Sequence, residues 1–193
     1  KLIHYDLESN LHDKVVQNIT LQQSDNGEIL GVGFYSDRVF WGQGYSGFYT
    51  MRIDPKTKEV VSANASPFSE ELKAEIIGQR KASKGKDIPK FKVREVLPLD
   101  DGRLAVVTEN YVYTKRVTTD QNGNQHTYES WLYGDVLTMY FDAEGKMESH
   151  GVIKKRQYCT AKDGGSSLFQ KMGISMTPGV NELPYYGIAT MEV

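Results

Sequence analysis

The chain has 193 residues, a formal net charge of −2 and an isoelectric point near 6.1, so its charge gives no reason to expect a nucleic acid partner. Its 12 Tyr and 18 Gly favour an all-β class over a helical one. The single cysteine, Cys159, excludes an internal disulfide framework and is expected to pack as a small hydrophobic residue. No run approaches the roughly 20 apolar residues of a transmembrane helix.

The start of the chain predicts an extracytoplasmic protein. Lys1 stands where a translated chain would carry Met, and a strand-like stretch follows at once over residues 2–8. We therefore expect that a signal segment has been removed and that the protein resides in the periplasm, in the cell envelope or outside the cell. Residues 185–193 are typical of the first strand of a further unit, which indicates a fragment of a longer protein.

A first group of strands occupies the N-terminal third of the chain. Residues 14–21 and the stretch over 2–8 are predicted to form an outer, half-exposed pair. Four short strands follow, at residues 28–35, 38–41, 48–54 and 59–63. Four short antiparallel strands are the content of one β-propeller blade, so residues 28–63 are interpreted as a first blade-like unit.

A helix interrupts this pattern at residues 69–82. Ser69 is a suitable N-cap, and Leu72, Ile76 and Ile77 recur at helical spacing. The Lys- and Gly-containing residues 83–90 are expected to form a solvated linker.

The longest predicted element is a β-hairpin over residues 103–142, which belongs to a second blade-like unit at residues 91–154. Asn122-Gly123 favours a two-residue type I′ turn, which sets Arg116 opposite Glu129 and Leu104 opposite Phe141. At about 3.3 Å per residue, arms of nearly twenty residues would span about 60 Å. We therefore expect the tip to project beyond the core, or a bulge to interrupt the ladder.

The base of this hairpin is expected to be buried on both faces. One face would carry an all-apolar set and the other a second set that includes one tyrosine. The first set is Leu104, Val106, Met139 and Phe141, and the second is Ala105, Val107, Val136 and Tyr140.

The two strand groups form a weak internal repeat. The predicted fold is all-β with one short helix, in which antiparallel sheets are arranged as β-propeller-like blades. Residues 1–193 would form a single domain or an incomplete propeller fragment with one long projecting hairpin. Residues 155–184 are expected to connect this unit to the next.

Four stretches of this sequence resemble a family of uncharacterised bacterial cell-envelope proteins with propeller-like repeats. They are Phe-Lys-Val-Arg-Glu-Val-Leu-Pro-Leu-Asp-Asp-Gly-Arg-Leu-Ala-Val-Val-Thr-Glu at 91–109, Tyr-Gly-Asp-Val-Leu-Thr-Met-Tyr-Phe-Asp-Ala-Glu-Gly-Lys at 133–146, Lys-Lys-Arg-Gln at 154–157 and Lys-Asp-Gly-Gly at 162–165. The resemblance covers roughly residues 48–193. It implies the propeller-like fold and the envelope location, and it offers no catalytic residues to transfer.

Short motifs with a known chemistry do not support a cofactor, a metal or a catalytic residue. Residues 42–47 match GxGxxG, but a strand is predicted after them where phosphate binding needs a helix. Asp120, Asn122 and Asn124 fit three positions of a calcium loop that lacks the required Gly and Glu. Residues 44–48 fall one Gly short of the nucleophile elbow GxSxG, and the four His show no ligand spacing. The loop at Asp163, Gly164 and Gly165 is either an ion-binding nest or an ordinary turn.

Five aromatic residues of the hairpin form the candidate partner-binding site. They are Tyr111, Tyr113, Tyr128, Trp131 and Tyr133. One interpretation is packing across the strands. The other is an amphipathic surface for a glycan, a peptide or a protein. The predicted register places Tyr111, Tyr113 and Tyr128 on one face and the remaining two on the other.

These observations support three hypotheses. The first is a non-enzymatic envelope or secreted module that binds a partner or serves as a scaffold. The second is a glycan-active hydrolase that uses Asp101, Glu109 and Asp135 in a central cleft, which requires paired carboxylates about 5 to 10 Å apart. The third is an assembly unit that forms homo-oligomers through open sheet edges.

Overall fold

The computed structural model describes residues 14–24, 27–37, 44–99, 101–162 and 165–166. The predicted strands at 2–8, 38–41 and 185–193 and the loop at Asp163 and Gly164 lie outside these residues. The described chain consists mostly of antiparallel β-sheet, which confirms the all-β class. It separates into two compact units. The larger unit comprises Lys1–Val112 and Tyr133–Arg156, and the smaller comprises Tyr113–Leu132 and Gln157–Val193.

The first sheet lies in the larger unit. Its strands are β1 (Val15–Val16), β2 (Thr20–Gln23), β3 (Ile29–Ser36), β4 (Gly47–Ile53) and β5 (Val60–Pro67). β1 and β2 both pair with β3, β3 pairs with β4, and β4 pairs with β5. Every pair is antiparallel. Because Gly47 begins a strand, no helix follows the Gly-rich motif, and the dinucleotide interpretation lacks its essential element.

Two short helices replace the single predicted one. Helix α1 spans Glu70–Ile77 and helix α2 spans Gln79–Ala82. Ser69 is the N-cap as predicted, since its Oγ accepts a hydrogen bond of 3.1 Å from the Leu72 N–H. The helix is divided because Gly78, with φ at 85°, adopts a left-handed conformation that ends α1. None of the helices in the described residues is long and apolar enough to cross a membrane.

The second sheet contains the long hairpin. Its strands are β6 (Phe91–Pro98), β7 (Leu104–Thr119), β8 (Gln125–Phe141), β9 (Met147–Ile153), β10 (Gln157–Lys162) and β11 (Gly165–Ser166). β8 pairs with β7 on one side and with both β9 and β10 on the other. The expectation that residues 155–184 only connect two units was therefore wrong over 157–162, which form a strand of this sheet.

Both sheets contribute to one core in the larger unit. Side chains from β3, β4, α1, β6, β7 and β8 form a single buried cluster. The Phe48 ring contacts Phe34 edge-on at 4.8 Å and stacks on Phe141 at 5.5 Å, measured between ring centroids. The two sheets therefore face each other across shared aromatic packing. Neither sheet closes on itself within the described residues, and the propeller-like arrangement stays a prediction.

The base of the hairpin is buried on both faces, largely as predicted. The first predicted set lies together in the core, with Leu104, Val106, Met139 and Phe141 at most 3% exposed. The second set differs from the prediction at one residue. Ala105, Val107 and Val136 are buried, but Tyr140 is 46% exposed.

The turn at the hairpin tip is one residue longer than predicted. The Asp120 N–H donates to the Asn124 carbonyl at 2.9 Å, and the Gly123 N–H donates to the Asp120 carbonyl at 3.1 Å. Asp120 thus lies opposite Asn124, and three residues form a loop in which Gly123 has φ at 85°. The same pair of bonds closes the turns Ser24–Glu28, Leu99–Arg103 and Asp142–Lys146. The predicted two-residue turn was wrong.

A β-bulge reconciles this tip with the base. On the base side, the Thr108 Oγ1 hydroxyl donates to the Leu137 carbonyl at 3.0 Å. On the tip side, Asn110 lies against Gly134, because a Cβ added to Gly134 would stand 2.5 Å from Asn110 Oδ1. Between these contacts β7 advances by two residues and β8 by three, so β8 contains one additional residue. The predicted register therefore applies at the base of the hairpin and is shifted by one residue at its tip.

Candidate functional site

Four of the five candidate aromatic residues form two cross-strand pairs. Tyr111 and Tyr133 have ring centroids 5.3 Å apart in the larger unit. Tyr113 and Trp131 have theirs 5.5 Å apart in the smaller unit. Each pair joins residues that the predicted register had placed on opposite faces, so that division was wrong. The shifted register at the tip is its physical cause, because a slip of one residue turns every side chain of a strand to the other face.

The fifth residue, Tyr128, lies apart from Trp131. Strand alternation along β8 directs these two side chains to opposite faces. The Lys162 ammonium, on β10, lies 5.5 Å from the centroid of the Tyr128 ring, a cation–π geometry.

Exposure divides the aromatic set into a surface part and a packed part. Tyr113 is 43% exposed and Tyr128 is 41% exposed, whereas Trp131 and Tyr133 are each only 5% exposed. The packing interpretation therefore describes Trp131 and Tyr133. Tyr113 and Tyr128 are the members that a partner could contact directly.

Hydrogen bonding holds the exposed tyrosine of the tip in place. The Tyr113 hydroxyl donates to Glu129 Oε1 at 2.5 Å, across the two strands. The neighbouring Trp131 Nε1 is buried and has no acceptor among the described residues. Burying an unpaired indole N–H costs about 1–3 kcal/mol, so aromatic and apolar packing must account for the position of this ring.

A buried carboxylate lies at the base, close in sequence to the aromatic pairs. Glu109 is fully buried although its side chain is acidic, and it follows the apolar stretch of β7. Its Oε2 accepts from Arg94 Nε at 2.9 Å, and its Oε1 accepts from Lys155 Nζ at 2.5 Å. Two cations therefore compensate one buried anion, as burial of a charge requires.

A bulge in β6 directs Arg94 toward this carboxylate. The register between β6 and β7 shifts between Val93 and Glu95, which leaves Arg94 as the additional residue. The Arg94 guanidinium carbon also lies 5.3 Å from the centroid of the Tyr111 ring and 5.9 Å from that of Tyr133. The Tyr111–Tyr133 pair and the buried carboxylate thus share one cation.

Asp101 and Glu109, two of the three carboxylates proposed for a hydrolase, do not form the required pair. Asp101 precedes β7 and Glu109 lies five residues after its first residue, Leu104. Those five residues alone span about 16 Å at 3.3 Å per residue, beyond the 5 to 10 Å that glycoside hydrolysis uses. Asp101 is exposed, and hydrogen bonds from the Arg103 backbone and side chain lower its pKa, the opposite of what a general acid needs.

Asp135 is held by two cationic residues. Its Oδ2 accepts from Lys154 Nζ at 2.8 Å and its Oδ1 accepts from the Lys155 backbone N–H at 3.2 Å. Asp135 and the buried Glu109 are thus linked through Lys155. Both carboxylates are engaged with cations, and Glu109 has no exposed surface from which to reach a substrate.

The tip residues that partly match a calcium loop form hydrogen bonds within the turn. Asp120 Oδ1 accepts hydrogen bonds from the backbone N–H groups of Asn122 and Asn124, both at 2.9 Å. The side chain that would ligate a cation therefore stabilises the turn. Among the described residues no group of three or more acidic, His or Cys side chains is placed to hold a metal ion.

The cluster of Arg94, Glu109 and Lys155 was not foreseen as a unit. A signal for it was present, because a Glu at the end of the apolar run Leu-Ala-Val-Val-Thr demands a cationic partner if the strand is buried. The sequence could not predict which residues would be the cationic partners, since one depends on a bulge in β6 and the other lies 46 positions away in the chain.

Fold and site together define an antiparallel β protein whose long hairpin carries aromatic side chains. In comparisons with known proteins, no family model, no curated protein and no solved structure matches the chain. Its function is therefore inferred from its own residues.

Proposed function

We propose that this chain is a non-enzymatic binding or scaffold module of the bacterial envelope or of the secreted proteins, and that its hairpin tip contacts a protein or a glycan. One observation carries the proposal. The smaller unit exposes several large apolar side chains, and exposed aromatic residues are typical of binding surfaces. They are Tyr113 at 43%, Val117 at 52%, Tyr128 at 41% and Tyr158 at 53% exposure.

The chemistry of these tyrosines suits recognition. A tyrosine offers a flat apolar face together with a hydroxyl, so it serves both sugar rings and protein surfaces. The hydrogen bond from Tyr113 to Glu129 fixes one of these rings before a partner arrives. Because little side-chain freedom is then lost on binding, the entropic cost of association is reduced.

The propeller-like architecture and the extracytoplasmic location belong to the same proposal. The resemblance of residues 48–193 to envelope proteins supports both, and the antiparallel order of β6, β7, β8 and β9 is the strand content of one blade. A fusion of the gene's native 5′ region to alkaline phosphatase tests the location. Phosphatase activity is expected from an exported fusion, and its absence would contradict export.

The binding surface is tested with the double variant Tyr113→Ala/Tyr128→Ala. The matched control is Tyr140→Ala, which removes an equally exposed tyrosine, at 46%, from the base of the hairpin. Trp131 and Tyr133 are unsuitable for this test because both are buried, and their truncation would disturb packing.

The measurement is retention on immobilised peptidoglycan and on immobilised envelope proteins. Loss of a contact residue at a binding surface costs about 1–2 kcal/mol, so we expect the double variant to lose about tenfold or more in retention. Tyr140→Ala should behave as the native chain does. Equal retention of all three proteins would remove the hairpin tip as a partner surface.

A further inference from the structure

Among the residues that the structure describes, no strand pairs with the outer edge of β7 along its tip half. β6 pairs with β7 only as far as Asn110, and among the described strands β7 has no neighbours other than β6 and β8. The stretch from Thr114 to Val117 is exposed at every residue. A strand edge of this kind presents backbone donors and acceptors that another chain can pair with.

The turn geometry identifies which backbone groups face outward. The Asp120 N–H donates to the carbonyl of Asn124, the residue that precedes β8, and in an antiparallel pair the residues bonded to the partner strand alternate along the chain. Lys115, Val117 and Thr119 therefore direct their N–H and C=O groups away from β8. Three donors and three acceptors are available to an added strand, enough to set its register.

Charge selects the kind of strand that this edge accepts. Lys115 and Arg116 occupy the middle of the open edge and are exposed, and neither contacts a carboxylate in the part of the chain that the structure describes. Opposite charges across strands stabilise pairing and like charges oppose it. Two copies of this edge paired around Lys115 or Arg116 would place cations against cations, which disfavours a homodimer through this strand.

We propose that the outer edge of β7 from Thr114 to Thr119 binds an extended, acidic protein segment by β-strand addition. This inference rests on the proposed function of the hairpin tip and narrows the partner from a protein or a glycan to a protein strand that carries carboxylates. Backbone pairing supplies general affinity, and Lys115 and Arg116 supply selectivity.

The probes are two synthetic eight-residue peptides of alternating Thr and Val. One carries Asp-Glu at its centre and the other carries Asn-Gln there. The full chain, labelled with ¹⁵N, is titrated with each peptide to millimolar concentration while amide shifts and amide exchange are followed. We expect the acidic peptide to bind about tenfold more tightly, from two favourable cross-strand pairs. Exchange should slow at Lys115, Val117 and Thr119 and stay unchanged at Arg116, whose N–H faces β8.

Two variants separate backbone pairing from charge. Val117→Pro removes one outward N–H without touching the ladder to β8, as edge positions allow, and should abolish binding, whereas Val117→Ala should retain it. Lys115→Glu/Arg116→Glu should bind the Asp-Glu peptide at least tenfold more weakly than the native chain does, and should prefer a third peptide that carries Lys-Lys at its centre.

Equal affinity for the acidic and neutral peptides would overturn the proposal. So would a concentration-dependent dimer that Val117→Pro dissociates, since a second copy would then occupy the edge.

The two proposals fail in distinguishable ways. If Tyr113→Ala/Tyr128→Ala loses a retained partner while the acidic peptide does not bind the native chain, the edge proposal is wrong and the tip remains a binding surface. If the acidic peptide binds and slows exchange at the three edge amides while the tyrosine variants lose nothing, the edge proposal holds without the aromatic surface.

Discussion

The base and the tip of the central hairpin are made of the same two strands and stabilised in different ways. At the base, β8 places Leu137, Met139 and Phe141 in the core with no exposure. At the tip, the same strand exposes 41% of Tyr128. Backbone pairing continues through both parts, so the hydrogen-bonded ladder does not distinguish them. Apolar burial distinguishes them, and we infer that the base contributes more to the stability of the fold than the tip does.

The largest difference is expected from aromatic truncation within β8. Phe141→Ala should cost about 3–5 kcal/mol in the free energy of unfolding, because it leaves a cavity between two sheets. Tyr128→Ala should cost less than about 1 kcal/mol, since its ring is partly solvated. Urea unfolding followed by circular dichroism measures both. Similar losses for the two variants would show that the tip is as tightly packed as the base.

A second difference concerns two glutamates of the hairpin. Glu109→Gln removes the anion that compensates Arg94 and Lys155, and should cost about 2–3 kcal/mol. The estimate is below that for a fully buried pair because the side chains of these two cations are 17% and 20% exposed. Glu129→Gln, at the tip, keeps an acceptor for Tyr113 and should change stability by less than about 0.5 kcal/mol.

Salt provides the control for this pair of variants. A buried ion cluster is screened much less than a surface pair, so the loss caused by Glu109→Gln should persist at high ionic strength. If that loss disappears in about 1 M NaCl, or if Glu109→Gln is as mild as Glu129→Gln, the cluster does not stabilise the base.

Local sequence signals predicted most of the base of the hairpin correctly and failed at the turn of its tip. Alternation placed Leu104 and Phe141 in the core correctly, because a strand pair buried on both faces leaves little choice of register. The tip register failed because Asn122-Gly123 suits two kinds of turn. Asp120, which accepts hydrogen bonds from the backbone N–H groups of Asn122 and Asn124, belongs to the longer one.

The candidate site was less predictable than the fold. Tyr113 and Trp131 are both aromatic strand residues, and nothing local distinguishes the exposed ring from the buried one. Burial depends on what covers each face, which is a property of tertiary packing. The pairing of Glu109 with Arg94 depends on a bulge that leaves no clear mark in the residues of β6.

Two glycine turns give a smaller but closely matched comparison. Gly145 and Gly123 have φ at 83° and 85° in turns with the same pair of backbone hydrogen bonds. A Cβ at Gly145 would stand too close to Thr50 Oγ1, whereas nothing lies within 4 Å of a Cβ at Gly123. Gly123→Ala should cost about 1 kcal/mol from backbone strain alone, and Gly145→Ala about 2 kcal/mol, because strain and overpacking add.

Thermal unfolding checks this pair of variants. Gly145→Ala should lower the midpoint about twice as far as Gly123→Ala does. Equal shifts would mean that Thr50 moves aside at little cost, and that the base turn is as open as the tip turn.

The smallest expected effect is a pH response confined to the tip turn. The Asn124 backbone N–H, followed by its side chain, lowers the pKa of Asp120 below the ordinary value of 3.8. A lowered pKa means that the folded turn favours the carboxylate. The stabilisation of the turn by the Asp120 carboxylate is therefore present above the ordinary pKa and is lost as the pH falls through the lowered pKa.

The Asn122 and Asn124 amide shifts, followed by NMR from pH 6 to 2, should change with a midpoint below 3.8, while core resonances of the base stay constant over the same step. Asp120→Asn should flatten this titration, and a midpoint at or above the ordinary value would show that the carboxylate does not stabilise the turn.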